Sequence, residues 1–269
     1  MAEALRLISL GFIIGLYGTF IGAGGGFVLM PVLLLVYPQE PRASLAAISL
    51  AVVFCNATSG SVAYARLKRI DYRSGLVLML ASIPGAVIGA LTTDLIRRRA
   101  FDAALGVLMV LVACFLLWRP TEVSAGAPAR SDRADTQRLG SYNLKLGLVI
   151  SFFVGYVSSL LGIGGGIVHV PVLVHLLHFP VHIATATSHF ILAFMALAGA
   201  AVHLAGGRLV PGLSRVVLLA LGVVPGAQVG AWLSTRVRGQ WVIRALALAL
   251  GFVGIRVLLG AVSPPVSPP

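Results

Sequence analysis

Glycine, rather than any charged side chain, is the residue type whose spacing could do chemistry in this sequence. Gly22-Ala23-Gly24-Gly25-Gly26-Phe27-Val28-Leu29-Met30-Pro31 returns about 140 residues later as Gly162-Ile163-Gly164-Gly165-Gly166-Ile167-Val168-His169-Val170-Pro171. Each copy lies inside a long apolar segment. A glycine run followed by proline interrupts a helix, and a helix that restarts there presents unpaired N–H groups and the positive end of its dipole. Such a start can hold an anion without a cationic side chain, and glycine lets the backbone approach the ligand with no Cβ in the way. In lipid, bare backbone is tolerated only where protein or a watery cavity covers it. Two copies at matching places in two halves point to the binding site of a transporter.

The next helix of each half adds neutral polar groups: Ser49, Cys55, Asn56, Thr58 and Ser59 in the first, Thr185, Thr187, Ser188 and His189 in the second. The candidate substrate-binding residues are therefore Gly24, Gly25, Gly26, Asn56, Thr58, Gly164, Gly165, Gly166, Ser188 and His189. Gln228 is a weaker candidate. Close packing is the competing explanation for glycines at four-residue spacing, above all for Gly85 with Gly89 and Gly226 with Gly230. Hydroxyls at membrane depth also bond to their own or a neighbouring helix.

All eight carboxylates lie outside the expected helix centres. Intramembrane Asp and Glu mark cation sites and proton relays, so this pattern argues against a carboxylate-based cation carrier and leaves nothing to repel an anion. The six histidines fall between 169 and 203. His175, His178 and His182 invite a metal reading, but Pro180 interrupts the helix that would align them, and no metal or other cofactor is expected. No catalytic residue is expected either. Ser188 and His189 are adjacent, so on a helix they point about 100° apart and cannot act as a nucleophile–base pair. Neither a Walker-type Gly-Lys-Ser/Thr nor a Gly-x-Ser-x-Gly elbow is present.

These residues need long apolar elements to position them. Of the 269 residues, 58% are hydrophobic and only 10% charged, and mean hydropathy is +1.00; a soluble domain carries about a quarter charged residues. Apolar segments fall near 4–37, 43–65, 74–93 and 101–118, then near 143–178, 183–205, 213–235 and 241–260. Six match a single crossing, while the first of each set is longer and carries the glycine run. Pro84-Gly85-Ala86-Val87-Ile88-Gly89-Ala90 likewise returns as Pro225-Gly226-Ala227-Gln228-Val229-Gly230-Ala231. The expected fold is an all-α polytopic membrane protein with two internal repeats of about four transmembrane segments, the first of each broken at a Gly-rich motif. Residues 1–118 form the first repeat, 119–142 a solvated linker, 143–260 the second repeat, and 261–269 a Pro-rich tail.

The formal charge of +12 sits mostly between apolar segments, where it orients helices and meets lipid headgroups; no nucleic-acid surface is expected. With simple crossings, the N-terminus, the loop at 66–73, the linker, the loop at 206–215 and the C-terminus would share one side, the cytoplasmic one. If the short helices return as extra crossings, the repeats become inverted. Cys55 and Cys114 lie in apolar stretches and read as small hydrophobes, not a disulfide.

On the two glycine motifs, the paired Pro-Gly-Ala-x-x-Gly-Ala stretches and the basic loop Arg66–Arg73, the chain resembles the TauE/SafE-type sulfite exporter family, also called the toluene-sulfonate uptake permeases. The resemblance covers nearly the whole chain except the linker and tail. It implies a multi-pass carrier in a bacterial inner membrane for small, mostly sulfur-bearing anions such as sulfite, sulfonates or sulfoacetate. The partners are then the small anion and the lipid bilayer, with self-association left open. His169 and His189 stand opposite Leu29 and approximately Leu50, so the two halves are not expected to be equivalent. A membrane-embedded enzyme and a channel are the alternatives.

Overall fold

In a computed structural model of the chain, residues 2–118, 144–236 and 240–262 are described. The expected linker at 119–142 lies outside them, as does the tail from residue 263 on. All regular structure among the described residues is helical. The ten α-helices are α1 (Ala2–Ile21), α2 (Gly26–Val36), α3 (Arg42–Arg66), α4 (Tyr72–Thr92), α5 (Arg98–Trp118), α6 (Leu144–Leu161), α7 (Gly166–His175), α8 (Val181–Ala205), α9 (Leu213–Leu233) and α10 (Gln240–Val262). Six of them (α1, α3, α4, α6, α8 and α9) are long and apolar enough to cross a membrane by length and composition.

The local chemistry of the helix ends is plain. Pro41 and Pro180 stand just before α3 and α8, where a missing N–H costs nothing and φ is already set. Asp71 caps α4, its carboxylate accepting from the backbone N–H of Arg73 at 3.2 Å. Between α1 and α2 the chain turns through Gly22, Gly24 and Gly25, with φ of +85°, +76° and +79°. Between α6 and α7, Gly162, Gly164 and Gly165 repeat the pattern at +67°, +76° and +66°. An L-residue with a Cβ costs roughly 1–2 kcal/mol in this left-handed region, so glycine is needed at each of these positions.

Glycine also sets the tightest helix contacts. On α9, Gly226 faces the backbone of Phe12 and Leu16, and on α4, Gly89 faces Tyr156 and Leu160. These are close-packed faces of the small-xxx-small kind, the role weighed for both Pro-Gly-Ala stretches. The register of contacts gives direction. Gly11 and Gly15 of α1 meet Leu219 and Val223 of α9, so the two run parallel; Gly85 and Gly89 of α4 meet Phe152 and Tyr156 of α6 in the same sense. Gly60 of α3 meets His189 of α8 while Gly199 meets Leu50, so α3 and α8 run antiparallel.

The short helices turn back. The loop after α2 returns to the end where α1 begins, since Glu40 pairs with Arg215 at the start of α9. The C-terminus of α7 reaches the opposite end, where His175 packs edge-on against Phe115 near the end of α5. Simple crossings do not describe this arrangement: the N-terminus and the loop at 206–212 share one end, and the loop at 67–71, bonded to Thr187 near the start of α8, lies at the other. Of the two arrangements the sequence left open, this is the one in which the short helices return, with the N-terminus and the 66–73 loop at opposite ends. The reason is that α2 reverses the path of α1 and brings the chain back to the end where α1 began before α3 crosses.

Candidate functional site

The two reversals meet head to head in the middle of the bundle. A Cβ built on Gly26, the first residue of α2, would lie 2.5 Å from the carbonyl oxygen of Ile163 in the other glycine turn. One built on Gly166, the first residue of α7, would lie 2.7 Å from the backbone of Ala23. Only glycine permits this approach. The N-termini of two short helices, with their positive dipole ends, therefore converge on one buried point.

Amide accounting separates the turns. At the start of α2, the N–H groups of Val28 and Leu29 both reach the carbonyl of Gly25, at 3.1 and 3.0 Å; those of Gly26 and Phe27 stand ahead of them, among the donors a helix start cannot pair internally. At the start of α7, the Gly166 N–H instead turns back onto the carbonyl of Gly164 at 2.8 Å.

A connected set of polar side chains surrounds the first turn. Asn56 Nδ2 donates to the Gly24 carbonyl at 2.7 Å, and this leaves Asn56 Oδ1 to accept from Thr19 Oγ1 at 3.0 Å. Thr19 Oγ1 has then spent its proton, so His189 Nε2, 3.3 Å away, is the donor, and the ring carries its proton on Nε2. The Tyr64 hydroxyl donates to the Thr19 carbonyl at 2.7 Å, and its ring stands edge-on to His189 at 5.6 Å. Thr19, Asn56 and His189 are fully buried. Ser49 serves the second turn, donating to the Gly162 carbonyl at 2.5 Å.

The candidate residues fall into three groups. Gly24, Gly25, Gly26, Gly164, Gly165 and Gly166 all lie in the buried junction, and Asn56 and His189 are bonded around its first half. Ser188 is fully buried, and its hydroxyl has no hydrogen-bond partner. Thr58 is exposed. Two residues on a helix turn about 200°, so Thr58 faces away from Asn56 and lies apart from the buried junction. Gln228 bonds the Ser59 carbonyl at 2.8 Å and tethers α9 to α3 rather than the junction. Thr19 and Tyr64 were missed; a lone hydroxyl inside an apolar helix gives no signal until the fold brings partners to it.

The electrostatics of the junction are those of backbone and neutral groups. The described carboxylates sit at the ends of the bundle, where Asp102 takes a bidentate bond from Arg42 at 2.8 and 2.7 Å and Asp94 pairs with Arg208. Beside the junction runs a narrow apolar crevice lined by Phe27, Met109, Ile163, Ile167 and Leu250 among others.

Known proteins resemble the chain over nearly its whole length. A family model described as sulfite exporter TauE/SafE matches residues 7–257. A Bacillus subtilis protein described as probable membrane transporter protein YunE is 31% identical, over 94% of this chain and 96% of its own. A probable membrane transporter protein of Methanocaldococcus jannaschii is 24% identical over 94% of each chain, and one of Haemophilus influenzae is 26% identical over 94% of each. No solved structure matches the chain.

Proposed function

We propose that this chain, which belongs to the sulfite exporter TauE/SafE family of membrane transporters, is a secondary transporter for a small oxyanion held between its two glycine turns. The convergence of Gly26 and Gly166 on the opposing turn carries the reading: two helix N-termini aimed at one carboxylate-free point favour negative charge there. The substrate class is a sulfite, sulfonate or sulfoacetate-like anion, and the membrane a bacterial inner membrane. The family name and the tetrahedral or pyramidal charge that several backbone amides can share support this choice. Asn56, His189 and Ser188, with the amides near Gly24–Gly26 and Gly164–Gly166, line the site. The first turn is the stronger half, because its leading amides are not consumed as that of Gly166 is.

The chain reads as two duplicated, inverted units, α1–α5 and α6–α10. Pairings exchange under the duplication: α1 lies on α9 as α6 lies on α4, α3 on α9 as α8 on α4, and α3 and α5 face their own counterparts α8 and α10. Rocking one unit against the other would open the junction alternately to each side. Enzymatic turnover is disfavoured, because the Ser188 hydroxyl has no partner and His189 is committed to Thr19.

Uptake of radiolabelled sulfite, sulfonates, sulfate and carboxylates into liposomes holding the purified protein tests the reading. Saturable uptake of a sulfur oxyanion, lost on Asn56→Asp with insertion intact, is expected. Wild-type uptake by Asn56→Asp, or uptake that does not saturate, would count against it.

A further inference from the structure

Outside the junction, one cluster of buried polar groups has no role in holding an anion. His203, in the last turn of α8, is fully buried, and neither ring nitrogen has a hydrogen-bond partner. Ser159 of α6 is also fully buried with an unpartnered hydroxyl. That hydroxyl lies against Gly199, one turn before His203, where an added Cβ would come within 2.8 Å of it. Three unpaired polar atoms thus line one face of α8. An unpaired buried imidazole costs several kcal/mol at most in hydrocarbon-like surroundings, so its presence calls for an occupant or a task.

The other half shows what a purely structural solution looks like. Under the duplication proposed above, on which this inference rests, His203, Ser159 and Gly199 correspond to Tyr64, Thr19 and Gly60. There the tyrosine fills the space and donates to the Thr19 carbonyl at 2.7 Å, leaving no such gap in its bonding. A histidine in that place gives up this bond and introduces a group that titrates near neutral pH when solvated. The charged groups that bear on the ring are Arg208 and Asp94. They pair with each other across the two units, and the Arg208 N–H also caps the His203 carbonyl at 3.0 Å. A proton on the ring would therefore be felt by an ion pair that ties one unit to the other.

We infer that His203 is the proton-binding residue of a proton-coupled transport cycle, with Ser159 as its neutral acceptor and Asp94 as its counter-charge. The imidazole takes one proton from water at one side of the membrane and becomes an imidazolium with two N–H donors. It competes with Arg208 for Asp94, weakening the tie between the units, and returns the same proton to water after they have moved. One positive charge enters and one leaves; the bond to that proton is the only covalent bond made or broken, and the Arg208–Asp94 ion pair re-forms when the proton departs.

Liposomes holding the full chain, wild type or His203→Tyr, would be assayed with radiolabelled sulfite for exchange and for uptake driven by a proton gradient. One pH unit can sustain about a tenfold accumulation per proton carried. The wild type should accumulate sulfite; His203→Tyr, which copies the other unit, should exchange it but accumulate none. Gradient-driven accumulation by His203→Tyr equal to wild type would overturn the inference. The protonation of the ring is read separately by nitrogen NMR of histidine-labelled protein, with His203→Gln to assign the signal. Conversion from neutral to imidazolium between pH 5 and 8 supports the site, and a ring that stays neutral throughout refutes it. Because NMR needs no substrate, a wild type that exchanges no sulfite would refute the anion reading and leave the proton site to be judged by its titration.

Discussion

Asn56 on α3 and Gly24 in the turn between α1 and α2, 32 residues apart, are joined by a 2.7 Å bond from the side-chain amide to the backbone carbonyl. The bond fixes the rotation of the first glycine turn about its own axis. It also decides which way every other group in the network must donate, because the amide oxygen is left to accept from Thr19.

Replacing Asn56 therefore has two separable effects. Asn56→Leu strands the Gly24 carbonyl and the Thr19 hydroxyl in a buried place, at about 1–3 kcal/mol for each group left unpaired; thermal unfolding in detergent should show a lower Tm. Asn56→Asp keeps the shape but sets a second acceptor against the Gly24 carbonyl and adds negative charge beside the proposed anion; it should lower Tm as Asn56→Leu does and, in addition, lower kcat/KM by at least about tenfold, or 1.4 kcal/mol. A tenfold loss in both variants at equal Tm would mean that shape, not charge, matters there.

Gly26 has no room for a methyl group. A Cβ would sit 2.5 Å from the Ile163 carbonyl oxygen, a backbone atom that cannot swing aside. Gly26→Ala should cost about 1–3 kcal/mol, as overpacked cores do, and should separate the turns. Gly207→Ala, where nothing lies within 4 Å of an added Cβ but φ is +72°, separates backbone strain from crowding. The Tm of Gly26→Ala should fall while exchange is lost; that of Gly207→Ala should fall without loss of exchange.

Tyr64→Phe removes the buried hydrogen bond to the Thr19 carbonyl and the same hydroxyl's interaction with Ser234. The expected cost is about 1 kcal/mol, read as a shift in Tm, with KM for the anion within a factor of two or so of wild type, since the hydroxyl lies behind the turn.

The Glu40–Arg215 pair joins the loop after α2 to α9, and its side chains are 31% and 24% exposed. Solvent screens such a pair, so a double-mutant cycle with Glu40→Gln and Arg215→Met should give a coupling of about 0.2–1 kcal/mol. Arg215 also stacks on Tyr37, 4.1 Å from the ring centre, so Arg215→Met should cost more than Glu40→Gln. Equal costs would remove the ring contact from the account.

Much of the helical framework could be read from apolar run length alone, as with Val181–Ala205 and Tyr72–Leu95, because lipid leaves a chain few choices besides helix. Asn56 and His189 were legible as polar groups out of place at membrane depth. Thr58 was not, although the two-residue spacing already turns it to the far face. Thr19 was out of reach for a different reason: its partners Asn56, Tyr64 and His189 lie 37, 45 and 170 residues away, and nothing local marks it. The end at which the 67–71 loop lies relative to the N-terminus depended on which way α2 leaves the turn at Gly25, a dihedral matter invisible in composition.

The account stands on the amides of the two glycine turns meeting the anion. Nitrogen NMR of glycine-labelled protein, with sulfite titrated in, measures this directly. Saturable shifts in the amides of Gly25, Gly26 and Gly165, weakened in Asn56→Asp, are the predicted result. If those amides stay still while the same preparation carries sulfite across a membrane, the anion is held elsewhere and the account is wrong.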